Sequence, residues 1–280
     1  METEETAAET NTGRKAGEAG KAGGSLCDSG AVSTGSIPSA ASEGNVGAEK
    51  TGDAVRTAEK AVSVYFLSGI GTWESGRMFA GAMRDIMERY RSEGYAFVHV
   101  RDLYPYGSMD GVHSKRFYRH LAKQALKVSR DMYVRYERNI GGRLAYEKIK
   151  ADYDQYGSGD IILIGHSGGG IAAYNTAQLL SDDGYRVARV ILVGAPEQWI
   201  HKDWHNRVHA LRKAGRIGDW VTWLGKPCFG APKVSDEVNI VGGHTDYFRW
   251  DKVDDNGVSN LQKVMDRIWQ WLRPRDLSSS

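Results

Sequence analysis

The chain has 280 residues, with 37 Lys and Arg against 35 Asp and Glu, and 41% of its residues are apolar. That length holds one large domain or two small ones, and a formal charge of +2 excludes a strongly basic nucleic-acid binder as the default. The balance is uneven, because residues 1–60 carry 10 acidic and 6 basic residues, while the 8 Trp, 14 Tyr and 6 Phe all lie at or beyond Tyr65. A segment without aromatic residues cannot bury a core, so residues 1–60 are expected to be a disordered, low-complexity tail and 61–275 one globular domain.

The opening METEETAAET has neither a basic region nor an apolar run, so a secretory leader is not expected. No window approaches the roughly 18 apolar residues that a membrane span requires. Two cysteines, Cys27 and Cys228, are too few for a disulfide framework. A reducing cytoplasm is the expected setting.

From Ala61 the texture changes. Val62, Val64, Phe66 and Leu67 read as a strand that stops at Gly69-Ile70-Gly71. Phe79, Met83, Ile86 and Met87 follow at helical spacing up to Gly94, and Ala96–Val100 reads as a second strand. Ser114–Tyr156 predicts two helices broken near Gly141-Gly142. Within 104–156 the many Tyr, Arg and Lys residues suggest a partial cap over a site, with basic residues able to attract an anionic carrier or head group. Asp160–Ile164 is a short, continuously apolar run, as expected of a strand buried on both faces. A helix from Ile171 to Leu180, a strand over Val187–Val193, candidate strands at Asp219–Leu224 and Val238–Val241, and a last helix bearing Val258, Leu261, Val264, Ile268 and Trp271 complete the chain. This alternation predicts an α/β fold of about six mostly parallel strands covered by helices on both faces.

Gly165-His166-Ser167-Gly168-Gly169 matches G-x-S-x-G directly after a predicted strand and before a predicted helix. That is the setting of a nucleophile elbow, in which a sharp turn presents the serine hydroxyl at the sheet edge. A serine hydroxyl needs a base to take its proton. His244, in Val241-Gly242-Gly243-His244, follows a predicted strand end and is the candidate. An acid must orient the imidazole. Asp219 leads, with Glu197, Asp203 and Asp236 as alternatives. His201, His205 and His209, spaced by four, read as one polar helix face; the trio has zinc-ligand chemistry, but a solvated helix is the expectation, and no metal or cofactor is expected. The amide of Gly168, after the nucleophile, is a candidate oxyanion donor.

The order Ser, Asp, His on an alternating chain resembles the α/β-hydrolase fold, in its lipase and esterase branch. Gly165–Gly170 is similar to the GHSxGG elbow of lipases, and Val190–Pro196 to their following strand with its Gly-x-Pro end. Asp219-x-Val221 is similar to the D-x-V-P segment of class 3 lipases, with Thr222 in place of Pro, and His244-x-x-Tyr247-Phe248 to their H-x-x-Y-F. The resemblance implies a second oxyanion donor at Ile70, third residue of Ser68-Gly69-Ile70. It implies a serine hydrolase acting on a small-molecule or lipid-like acyl ester or thioester. An acyltransferase using the same acyl-enzyme, or a catalytically silent binding protein, is the alternative.

Overall fold

Strands that are apolar on both faces must be covered on both faces. The computed structural model, which describes residues 60–215, 218–224 and 234–273, does this with five helices. In chain order the elements are β1 (Ala61–Leu67), α1 (Ala80–Ser92), β2 (Phe97–Leu103), α2 (Phe117–Tyr133), α3 (Ile140–Tyr156), β3 (Asp160–His166), α4 (Gly168–Asp182), β4 (Val187–Val193), β5 (Val208–Lys213), β6 (Val234–Val238) and α5 (Asn260–Leu272). The six strands form one parallel sheet in the order β2-β1-β3-β4-β5-β6. The expected tail, 1–59, lies outside the described residues, as do Cys27 and Cys228.

The two-residue period of a strand divides each apolar run between two layers. Val62, Val64 and Phe66 of β1, with Ile162 and Ile164 of β3 and Ile191 and Val193 of β4, pack against α1 and α5. Their neighbours Tyr65 and Leu67, Ile161 and Leu163, and Val190 and Leu192 pack on the other face with α2, α3 and α4. Complete burial of such side chains contributes about 1.5–3 kcal/mol each.

After β1 the chain passes through α1 to β2 on one side, and it later returns to β3 on the other side of β1. The loops after β1 and β3 therefore diverge, toward α1 on one face and α4 on the other. Such a switch point opens a crevice at the carboxyl ends of the strands, the usual ligand position in α/β sheets.

Several expectations need correction. Asp219–Leu224 is not a strand. It is a short 3-10 turn over Trp220–Trp223, because the Asp219 carboxylate accepts from Val221 N at 3.0 Å and caps the turn. The strand before it is β5, and the strand expected at Val238–Val241 lies earlier, at Val234–Val238. His201, His205 and His209 do not share a helix: the first two flank a 3-10 turn over Lys202–Trp204, and His209 is inside β5, between β4 and β6. Pairing with both neighbouring strands overrides the i, i+4 spacing. The break between α2 and α3 falls at Val134–Asn139, and Gly141 and Gly142 form the first turn of α3, whose amides are held by Asp131 and Asn139.

Candidate active site

The turn after β3 is tight. Ser167 has φ 56 and ψ −134, and among the described residues only it and Arg77 are non-glycine residues with positive φ. A conformation of this kind costs on the order of 1–3 kcal/mol and persists only where its surroundings enforce it. Here they do. Ser167 N donates to Val193 O at 3.0 Å and Gly170 N to Ser167 O at 2.9 Å, which anchors the turn to β4 and starts α4. A Cβ at Gly165 would run into the Gly169 carbonyl, and one at Gly169 into that of Leu67. The glycines flanking the serine are thus required by close backbone approach.

His244 lies in a short turn, His244–Asp246, reached from β6 through residues 239–243. Its Nδ1 is 2.6 Å from Asp219 Oδ2. The same carboxylate oxygen accepts from the Tyr247 hydroxyl at 3.1 Å, and that hydroxyl in turn accepts from Lys213 N at 2.8 Å. Asp219 is buried. Burial by itself would raise its carboxyl, but the hydrogen bond and charge of His244, with the Val221 amide and Tyr247, outweigh it and hold the group below the usual carboxylate range. Burial, then the nearby Asp219 charge, pushes the Tyr247 phenol up, so it stays a donor. His244 Nε2 is buried and has no hydrogen-bond partner among the described residues.

His166 fills the space between the two loops. It is buried, its ring stacks on His244 at 5.0 Å between centroids, and Nε2 lies 3.0 Å from the His244 carbonyl. Because that acceptor is a carbonyl, Nε2 carries the proton. Burial, reinforced by His244, pushes the imidazole down to about 3, so His166 is a neutral spacer. Phe248 meets it edge-on at 5.9 Å. This stack fixes His244 against the residue that precedes Ser167 in the chain. Among the described residues no hydrogen bond joins Ser167 Oγ to His244 Nε2. Such bonds commonly shorten only when substrate binds.

The loop after β1 reaches the same point. A Cβ placed on Gly69 would stand 2.7 Å from Ser167 Cβ and 3.0 Å from both Ser167 Oγ and Gly168 N. Gly168 is the first residue of α4, where a helix leaves its N–H groups without internal partners and positive in character. Ile70 follows Gly69 directly. The sequence candidates Ser167, His244, Asp219, Gly168 and the Ile70 loop thus converge at one sheet edge.

Other candidates lie elsewhere. Buried Glu197 is 3.0 Å from Arg212 Nη2, Asp203 pairs with His201 at 3.2 Å, and Asp236 pairs with Arg267 at 2.8 Å. Among the described residues no three His, Cys, Asp or Glu side chains are grouped as metal ligands. One contributor escaped sequence reasoning. Asn260, fully buried at the start of α5, donates to the carbonyls of Val241 and Asp246 at 2.7 and 2.9 Å and accepts from Val241 N at 2.8 Å, and so braces the His244 loop. Its only sequence signal was a polar residue opening an apolar helix, which reads equally as a cap.

A six-stranded parallel sheet, helices on both faces and a strained serine between β3 and α4 define an α/β-hydrolase fold. No family model matches the chain, and no curated protein matches it in sequence. Solved structures do resemble it. The NocB thioesterase domain from a nocardicin cluster is 13% identical, with a TM-score of 0.45 over 77% of this chain and 96% of that one. YbtT, a type II thioesterase from a yersiniabactin pathway, is 14% identical, with a TM-score of 0.38 over 78% and 94%. An extracellular alpha/beta-hydrolase from a Paenibacillus species is 19% identical over 48% of this chain and 40% of its own, with a TM-score of 0.26. At such identity and overlap these likenesses say nothing of substrate. Among the described residues, no helix is long and apolar enough to cross a membrane.

Proposed function

We propose that the chain is a serine hydrolase that cleaves a carboxylic ester or thioester through an acyl-enzyme. The observations that support this are the 2.6 Å Asp219–His244 pair, whose buried Nε2 has no partner among the described residues, and the serine held at positive φ after His166, whose ring stacks on His244. Ser167 Oγ attacks the substrate carbonyl as its proton passes to His244 Nε2. The charge that develops on the carbonyl oxygen is met by the amides of Gly168 and Ile70. Collapse breaks the C–O or C–S bond, and the leaving group takes the proton from Nε2. Water then repeats the sequence, giving its proton to Nε2, and Ser167 recovers a proton as the acid is released. Asp219 stays ionised throughout, keeps Nδ1–H toward itself and stabilises the imidazolium. A fluorophosphonate probe, with a panel of acyl esters and thioesters of increasing chain length, tests this. One site is labelled, and Ser167→Ala removes labelling and turnover while the protein stays folded. Labelling that survives in that variant refutes the assignment.

A further inference from the structure

We propose that Gln124 of α2 is a positioning residue for the oxyanion loop, a role that rests on the hydrolase function proposed above. An uncharged polar side chain on the buried face of a helix is unfavourable unless both of its ends are bonded. Gln124 is 6% exposed, and both ends are satisfied by backbone groups of two different loops. Its Oε1 accepts from Gly71 N at 2.8 Å, and its Nε2 donates to Gly107 O at 3.0 Å. Gly71 is the residue after Ile70, so this bond fixes the peptide plane on the carbonyl side of the donor.

The loop is held on both sides of Ile70. Ser68 N donates to Leu103 O at 2.9 Å, and Met109 N donates to Thr72 O at 2.9 Å. Of these ties, the one at Gly71 is made by a side chain and is therefore open to substitution. The same face of α2 touches the other donor's turn as well. Leu121, Gln124 and Val128 are spaced by three and four, which places them on one side of the helix. Leu121 Cδ1 is 3.2 Å from where a Cβ on Gly71 would stand, and Val128 Cγ2 is 2.8 Å from where one on Gly168 would stand. A single helix thus abuts the segments carrying both amides, and Gln124 is its hydrogen-bonded contact to one of them.

Gln124→Met keeps the volume and removes both hydrogen bonds. The active-site titre is measured with the fluorophosphonate, and kcat and KM are measured per titrated site. The expected result is a full titre, KM within about twofold, and kcat lower by about 10–100-fold, less than the 10²–10³-fold lost when a donor is deleted outright. A loss confined to titre or to KM, or an unchanged kcat, overturns the proposal. If the variant does not fold, hydrogen exchange of the Gly71 amide in the ¹⁵N-labelled native full-length chain decides. Protection well above that of an exposed loop supports the clamp, and exchange at the loop rate refutes it. Native protein that is neither labelled nor active refutes the hydrolase function itself, so the two failures are distinguishable.

Discussion

Asp219→Asn is the substitution for which the structure predicts the most specific defect. The carboxylate has two distinct sides: Oδ1 accepts from the Val221 amide at 3.0 Å, and Oδ2 accepts from Tyr247 at 3.1 Å and faces His244 Nδ1 at 2.6 Å. In the asparagine, the Val221 N–H can only donate and takes the amide oxygen on the Oδ1 side, whereas the Tyr247 hydroxyl can turn to accept, so the NH₂ faces Tyr247 and His244. Nδ1 must then accept, the ring proton moves to Nε2, and the base presents a proton to Ser167 instead of a lone pair. The flipped amide would aim its NH₂ at the Val221 N–H and leave a buried donor unpaired, at a cost of about 1–3 kcal/mol. Either way the ground-state contacts with substrate are untouched. The expected result is a fall in kcat of about 10²–10⁴-fold, equivalent to about 2.7–5.5 kcal/mol of barrier, with KM little changed. The assay is steady-state kinetics per titrated Ser167, with imidazole ¹⁵N shifts reporting the tautomer. Glu197→Gln is measured beside it, because Glu197 follows the neighbouring strand end and faces Arg212 rather than His244. Silencing by the Glu197 change, with the Asp219 change tolerated, would refute the reasoning.

His166 predicts an acid limb in stability. Its pKa falls from 6.5 to about 3 on folding, so between those pH values the unfolded chain binds a proton that the folded chain refuses. Stability therefore rises with pH across that window, by at most about 1.4 kcal/mol per pH unit, and this contribution is level above it. Urea unfolding between pH 7 and pH 4 should show a shallower slope for His166→Gln than for the native chain, and equal slopes would contradict the assignment. Deleting residues 1–59 should leave Tm and turnover nearly unchanged, since that segment contains no aromatic residue to add to the core. Calorimetry and kinetics on the truncated chain check this, and loss of folding would mean that the segment supplies part of the sheet.

The sequence by itself determined what local pattern encodes. Short, continuous apolar runs such as Asp160–Ile164, bounded by glycines, read as strands buried on both faces, and their alternation with helical periods argues for a parallel two-faced sheet. The elbow was legible because its need for small neighbours is satisfied within five consecutive residues, Gly165–Gly169. Tertiary structure decided the rest, because those relations join residues far apart in the chain. Trp220–Trp223 has the composition of a strand, yet a capping bond from Asp219 turns it into a 3-10 turn, and β5 lies before it because β4 and β6 supply its hydrogen bonds. Which acid meets His244 depends on which loop ends beside it, 25 residues back along the chain; the sequence favoured Asp219 but left Glu197 as an alternative. Gln124 looks like one polar residue among many on an amphipathic helix. Its partners, Gly71 and Gly107, are backbone groups, and backbone groups leave no mark in residue identity.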